Sequence, residues 1–141
     1  MRLRNVPKSL DFVFNHPNYV EQPNKLKGKW SEYFGNTNPI HIEIGSGKGK
    51  FITNLASENK NINYIAMEKY TPVLAKLIKK LPEEGTPNLA VINADAGNLM
   101  EYFEVEELNR IYLNFSDPWP KKKHAKRRLT SLSFLETYKK V

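Results

Sequence analysis

Ile40-His41-Ile42-Glu43-Ile44-Gly45-Ser46-Gly47-Lys48-Gly49-Lys50-Phe51 joins a β-rich run to three glycines spaced by single residues. The first five alternate in period two and predict a strand. Gly45 to Gly49 predict a loop, and residues 50–59 place Phe51, Ile52, Leu55 and Ala56 on one side of a helix. Strand, glycine turn and helix in that order open a βαβ unit, and the pattern repeats downstream. Asn63–Met67 (NYIAM) predicts a second strand. Thr71 is expected to cap a helix that has Pro72 at its first position and Val73, Leu74, Leu77, Ile78 and Leu81 as its buried stripe. Pro82, Gly85 and Pro87 end it. Leu89–Ile92 predicts a third strand, residues 97–103 a short helix, and residues 110–115 a fourth strand; Ser133 and Glu136 form a capping box for a last helix. Alternating strands and helices predict an α/β fold, a three-layer parallel sheet with every strand C-terminus along one edge, where ligands bind.

Upstream, residues 1–39 hold Pro7, Pro17, Pro23, Gly28, Gly35 and Pro39 with little periodicity. They are expected to form an irregular N-terminal arm with one short helix near Trp30–Phe34, leaving residues 40–141 as the Rossmann-like domain. The last helix would still be running at Val141, with no strand after it. The fourth strand would then be an unprotected edge, so the domain is expected to continue past this residue.

The 141 residues suffice for one domain with a real core, and an apolar fraction of 40% is that of a folded protein. The chain has no cysteine, which excludes disulfides and thiolate zinc sites and agrees with a reducing compartment. No apolar run approaches the roughly 20 residues of a membrane span, and a soluble, cytoplasmic protein is expected. The net charge is +7. Six of the 22 Lys and Arg residues fall within Lys121-Lys122-Lys123-His124-Ala125-Lys126-Arg127-Arg128, directly after Leu113-Asn114-Phe115-Ser116-Asp117-Pro118-Trp119-Pro120. A basic run beside a candidate active-site turn points to phosphate contact and hence to a nucleic-acid substrate.

The glycine spacing, E-x-G-x-G-x-G over Glu43 to Gly49, fits neither common phosphate motif. The dinucleotide fingerprint needs a glycine where Lys50 stands, and a P-loop needs Gly-Lys-Ser/Thr. A nucleotide-dependent oxidoreductase is therefore disfavoured. Each predicted strand instead ends at an acid: Glu43, Glu68, Asp95 and Asp117. Glu68 stands nineteen residues beyond Gly49, where a carboxylate can accept ribose hydroxyls. A row of carboxylates repels phosphates but suits a ligand with ribose hydroxyls, an amine and a cation. S-adenosylmethionine has all three.

Taken together, EIGSGKGKF, IAMEKY, NADA and LNFSDPWPKKKHAKRRL resemble the bacterial-type tRNA (guanine-N7)-methyltransferases over residues 1–141. The resemblance implies a class I S-adenosylmethionine-dependent methyltransferase fold, with further C-terminal strands lining a guanine pocket that residues 1–141 lack. It implies cofactor contacts from Glu43, Gly45, Gly47, Glu68, Asp95 and Asp117, a catalytic role for Asp117, and substrate or RNA contacts from Lys121, Lys123, His124, Lys126, Arg127 and Arg128. The implied partner is tRNA, methylated in its variable loop; the oligomeric state, monomer or homodimer, is left open. A non-catalytic RNA-binding fragment that keeps the cofactor fold is the alternative. His16, His41 and His124 lack ligand spacing and no metal is expected. Trp30 and Tyr33 are expected in packing, and Trp119 either stacks on a base or packs on its flanking prolines.

Overall fold

The computed structural model describes residues 10–113. The end of the fourth strand beyond Leu113, the proline turn, the basic run and the helix expected after Ser133 all lie outside the described residues. Within them, four parallel strands, β1 (Ile40–Ile44), β2 (Asn63–Met67), β3 (Leu89–Ile92) and β4 (Arg110–Leu113), form one sheet in the order β3-β2-β1-β4. Five helices accompany them: α1 (Asp11–Phe14), α2 (Trp30–Phe34), α3 (Lys50–Glu58), α4 (Thr71–Lys79) and α5 (Leu99–Tyr102).

Strand side chains alternate, so the sheet buries two different surfaces. Ile40, Ile42 and Ile44 join Ile65, Met67 and Ile92 on one face, under Trp30, Leu99 and Phe103. Tyr64, Ala66, Leu89 and Val91 face the other way, against Ile52 and Ala56 of α3 and Leu74, Leu77 and Ile78 of α4. The result is the expected three-layer architecture. The chain walks from β1 to β2 to β3, then returns to place β4 on the opposite side of β1. That reversal makes the C-terminal ends of β1 and β4 the switch point, the place where such sheets take ligands.

Residues 10–39 hold more order than an irregular arm. Besides α2, the segment forms α1 and a 3-10 turn, Pro23–Leu26. Elements of four or five residues are not stable alone, and here tertiary contacts hold them. Trp30 is fully buried, stacks on Phe103 at 5.4 Å, and donates its indole N–H to the Tyr102 carbonyl at 2.8 Å. The Glu107 carboxylate accepts from the backbone N–H groups of Gly28, Trp30 and Glu104. On the far side, Val20 N–H donates to the Val91 carbonyl and Val91 N–H to the Asn18 carbonyl, covering the edge of β3.

Two local expectations fail for identifiable reasons. Thr71 does not cap α4: Tyr70 holds the cap position, and the Thr71 hydroxyl donates to Asn93 Oδ1 at 3.1 Å. Phe51 is not in the buried stripe of α3. It is 46% exposed, because α3 crosses the sheet with Ile52 and Ala56 downward and leaves Phe51 beside Tyr112 of β4. The short helix expected over residues 97–103 is present, as a 3-10 turn (Ala96–Asn98) running into α5.

Gly49 ties the glycine loop to the helical layer. It starts α3 at φ +82°, and a Cβ there would overlap the Leu77 side chain of α4. Gly49→Ala is expected to cost about 2–4 kcal/mol, combining a left-handed backbone with overpacking. In a Leu77→Ala background the same change should cost less, as read from urea midpoints. An equal loss in both backgrounds would place the whole cost in the backbone.

Candidate active site

The glycine loop folds back on the end of β2. Gly45 and Ser46 N–H groups both donate to the Met67 carbonyl, at 2.9 and 3.0 Å. Gly47 N–H donates to Glu68 Oε1 at 2.9 Å, and Tyr70 N–H donates to Oε2 of the same carboxylate at 3.1 Å. Gly45 and Gly47 both have positive φ, 75° and 59°; at Gly47 this lets the N–H turn toward Glu68. One buried carboxylate thus joins the loop after β1 to the start of α4.

Asn93, which the sequence reading passed over, secures that carboxylate from behind. Its side-chain amide donates to the carbonyls of Glu68 and Lys69, at 2.9 and 3.2 Å, while its Oδ1 accepts from Thr71. The only signal for it in the sequence is a polar residue immediately after the apolar strand LAVI.

Glu43 is the penultimate residue of β1, is 3% exposed, and has an Oε1 with no hydrogen-bond partner. Burial pushes its carboxyl up to about 7; a hydrogen bond from Ser46 works against this, and the charge of Glu68 adds to it. The Ser46 hydroxyl also donates to the Glu43 carbonyl at 3.1 Å, closing the turn. Asp95 follows β3, is exposed, and accepts a long bond of 3.4 Å from Gly97 N–H at the start of the 3-10 turn.

The structure therefore brings Glu43, Gly45, Gly47 and Glu68 together, with Asp95 at the same sheet edge. Asp117, Lys121, Lys123, His124, Lys126, Arg127 and Arg128 lie outside the described residues. Among the described residues no group of His, Cys, Asp and Glu has the arrangement of a metal site, and no helix is long and apolar enough to cross a membrane.

A family model described as "Putative methyltransferase" matches residues 37–141. Proteins named tRNA (guanine-N(7)-)-methyltransferase are similar over essentially the whole chain: 55% identical in Geobacillus sp. (strain WCH70), 54% in Lachnoclostridium phytofermentans and 49% in Streptococcus suis. The chain belongs to the tRNA (guanine-N7)-methyltransferase family. It covers 100%, 98% and 100% of itself in those matches but 64%, 64% and 67% of the relatives. The chain thus spans about two thirds of the length of the family members it matches.

The fold agrees with solved methyltransferases. An antibiotic-related methyltransferase superposes with a TM-score of 0.54 at 24% identity, covering 69% of this chain and 49% of that one. The antibiotic-resistance methyltransferase Kmr gives 0.54 at 16% identity, covering 70% and 50%. At such identities the likeness concerns the fold: a class I methyltransferase sheet, here with four strands described.

The Glu43 carboxyl gives a pH test. An unfolded glutamate releases its proton near 4.5, and the folded one near 7. Between those values the native chain binds the extra proton, so stability is fullest below pH 4.5 and falls as pH rises through 7. Glu43→Gln, which mimics the neutral acid, should be indistinguishable from the parent near pH 4. Above pH 7 it should be more stable, on the order of 1–3 kcal/mol after allowance for solvent screening. Urea midpoints from pH 4 to 8.5 give the comparison, and parallel profiles would exclude a buried neutral Glu43.

Proposed function

We propose that this protein moves a methyl group from S-adenosylmethionine to N7 of a guanine in the tRNA variable loop. The observation carrying this is near 50% identity, over the whole chain, to proteins bearing that activity in their name. Residues 40–141 would form the cofactor-binding domain, residues 1–39 its N-terminal arm, and the cytoplasm, where tRNA is processed, its place of work.

The residues present fit the cofactor. Glu43 is buried with one carboxyl oxygen unpartnered, as suits an acid completed by a cationic ligand. Glu68 spends one lone pair of each oxygen on Gly47 and Tyr70, leaving acceptor capacity for ribose hydroxyls. Gly45 and Gly47 present bare backbone for close approach, and Asp95 is exposed at the same sheet edge.

When bound, S-adenosylmethionine supplies an electrophilic methyl on a sulfonium. Guanine N7 already carries a free lone pair, so no residue of the chain would have to act as a base. Catalysis then rests on alignment and on stabilising the positive charge that develops on the purine. Asp117 is the carboxylate assigned to that task. Lys121 is assigned to the substrate, and Lys123, His124, Lys126, Arg127 and Arg128 to the RNA backbone.

The test is to incubate the chain with unmodified tRNA and methyl-labelled S-adenosylmethionine, and to digest the RNA for 7-methylguanosine. Labelled 7-methylguanosine is expected, and Asp117→Ala should reduce it at least 100-fold while changing tRNA affinity less than twofold. Cofactor binding without turnover would favour the second reading, a non-catalytic RNA-binding protein that keeps the cofactor fold. Absence of cofactor binding by a folded chain would overturn both.

A further inference from the structure

Behind the glycine loop, on the side of the helices, lies a cleft of about 600 Å³ lined by Gly47, Lys48, Lys50, Phe51, Asn54 and Val73 among others. Among the described residues, none of Glu43, Glu68 and Asp95 lines it, nor does any other carboxylate. Its walls come from the first turn of α3 and the first turn of α4. Phe51 is one of four large apolar side chains exposed among the described residues, and Tyr70, which precedes α4, is another. Phe51 packs edge-on against Tyr112 of β4 at 5.1 Å, so the cleft lies beside the strand pair at the switch point.

We propose that this cleft is a second RNA contact, in which a single-stranded nucleotide near the methylated guanine stacks on Phe51 with its phosphate held by Lys48 and Lys50. The inference rests on the tRNA-methyltransferase assignment above and adds to it RNA contacts from residues outside the basic run. Three features carry it. An exposed aromatic ring in a solvent-facing first turn serves no core, and base stacking on such a ring is sequence-tolerant and strong. Lys48 and Lys50, with no carboxylate lining the cleft among the described residues, complement a phosphate. Contact with β4 places a nucleotide bound there within reach of the β1–β4 switch point, where the reacting base must arrive. An aliphatic or acidic partner would find either the cations or the aromatic ring unmatched.

The stacking claim has a direct readout. A Phe51→Trp variant should bind single-stranded RNA or tRNA within twofold of the parent, and its added tryptophan emission, taken against the parent as blank, should be quenched by RNA. Phe51→Ala should weaken RNA binding about 5- to 100-fold. Lys48→Ala/Lys50→Ala should make the slope of log affinity against log salt shallower by roughly 1.4, at about 0.7 for each single-strand phosphate. Circular dichroism melts guard against loss of fold, and titration with S-adenosylhomocysteine guards the underlying assignment. Folded variants that bind the cofactor but keep the parental RNA affinity and salt slope would overturn the proposal alone. Quenching of Phe51→Trp by cofactor and not by RNA would also overturn it, assigning the cleft to the cofactor. Failure of the parent to bind cofactor at all would instead strike the assignment of function.

Discussion

The Glu68 carboxylate holds the ligand edge of this sheet together. It takes the N–H of Gly47 on one oxygen and that of Tyr70 on the other, so the loop after β1 and the helix after β2 share one anion. Hydrogen bonds to a charged acceptor are stronger than neutral ones, and this one is buried. The glycines follow from it: a side chain at Gly47 would resist the positive φ that turns its N–H toward Glu68. Gly49 answers a separate demand, the close approach of α4 through Leu77. One glycine of the motif thus meets an acid and another meets a helix. The glycine loop is therefore a fixed piece of the frame.

Much of this was legible in the sequence. β2 and β3 are short, β-rich and largely apolar because helices cover both sides, β1 alternates isoleucines with His41 and Glu43, and such runs stand out between glycines and prolines. Parallel order and a ligand edge follow from the alternation of strands with helices. What sequence patterning cannot supply is where cover stops. Phe51 has the right spacing for the buried stripe of α3, yet α3 lies where β4 is only half covered, and the ring stays out. Thr71 has the chemistry of a cap, but Asn93, twenty-two residues on, outcompetes the helix for its hydroxyl. Of the short helices before β1, only α2 was legible, and Glu107 and Trp30 hold it through contacts more than seventy residues apart in sequence.

At the site, residue identities were legible and residue states were not. That Glu43, Glu68 and Asp95 share an edge follows from parallel topology alone. Their different conditions come from packing: Asp95 is exposed at a turn, Glu68 is buried and paired with backbone, and Glu43 is buried with an oxygen unpaired. Three carboxylates that look alike in sequence are thus a solvated acceptor, a structural anion and a buried neutral acid at acidic pH.

That last state bears on how the fold and a ligand interact. A buried carboxyl lacking a partner is unfavourable in the isolated chain, and its ionisation is opposed further by Glu68. The fold tolerates it because β1 lies between two strands with which it pairs in parallel along its length, so no local relaxation can bring Glu43 to water without breaking the central strand. Any cationic group that reaches it removes the penalty and takes up the unpaired oxygen at once. Stability lost at neutral pH to this one side chain would then reappear as ligand affinity, through a centre that β1 holds rigid before the ligand arrives.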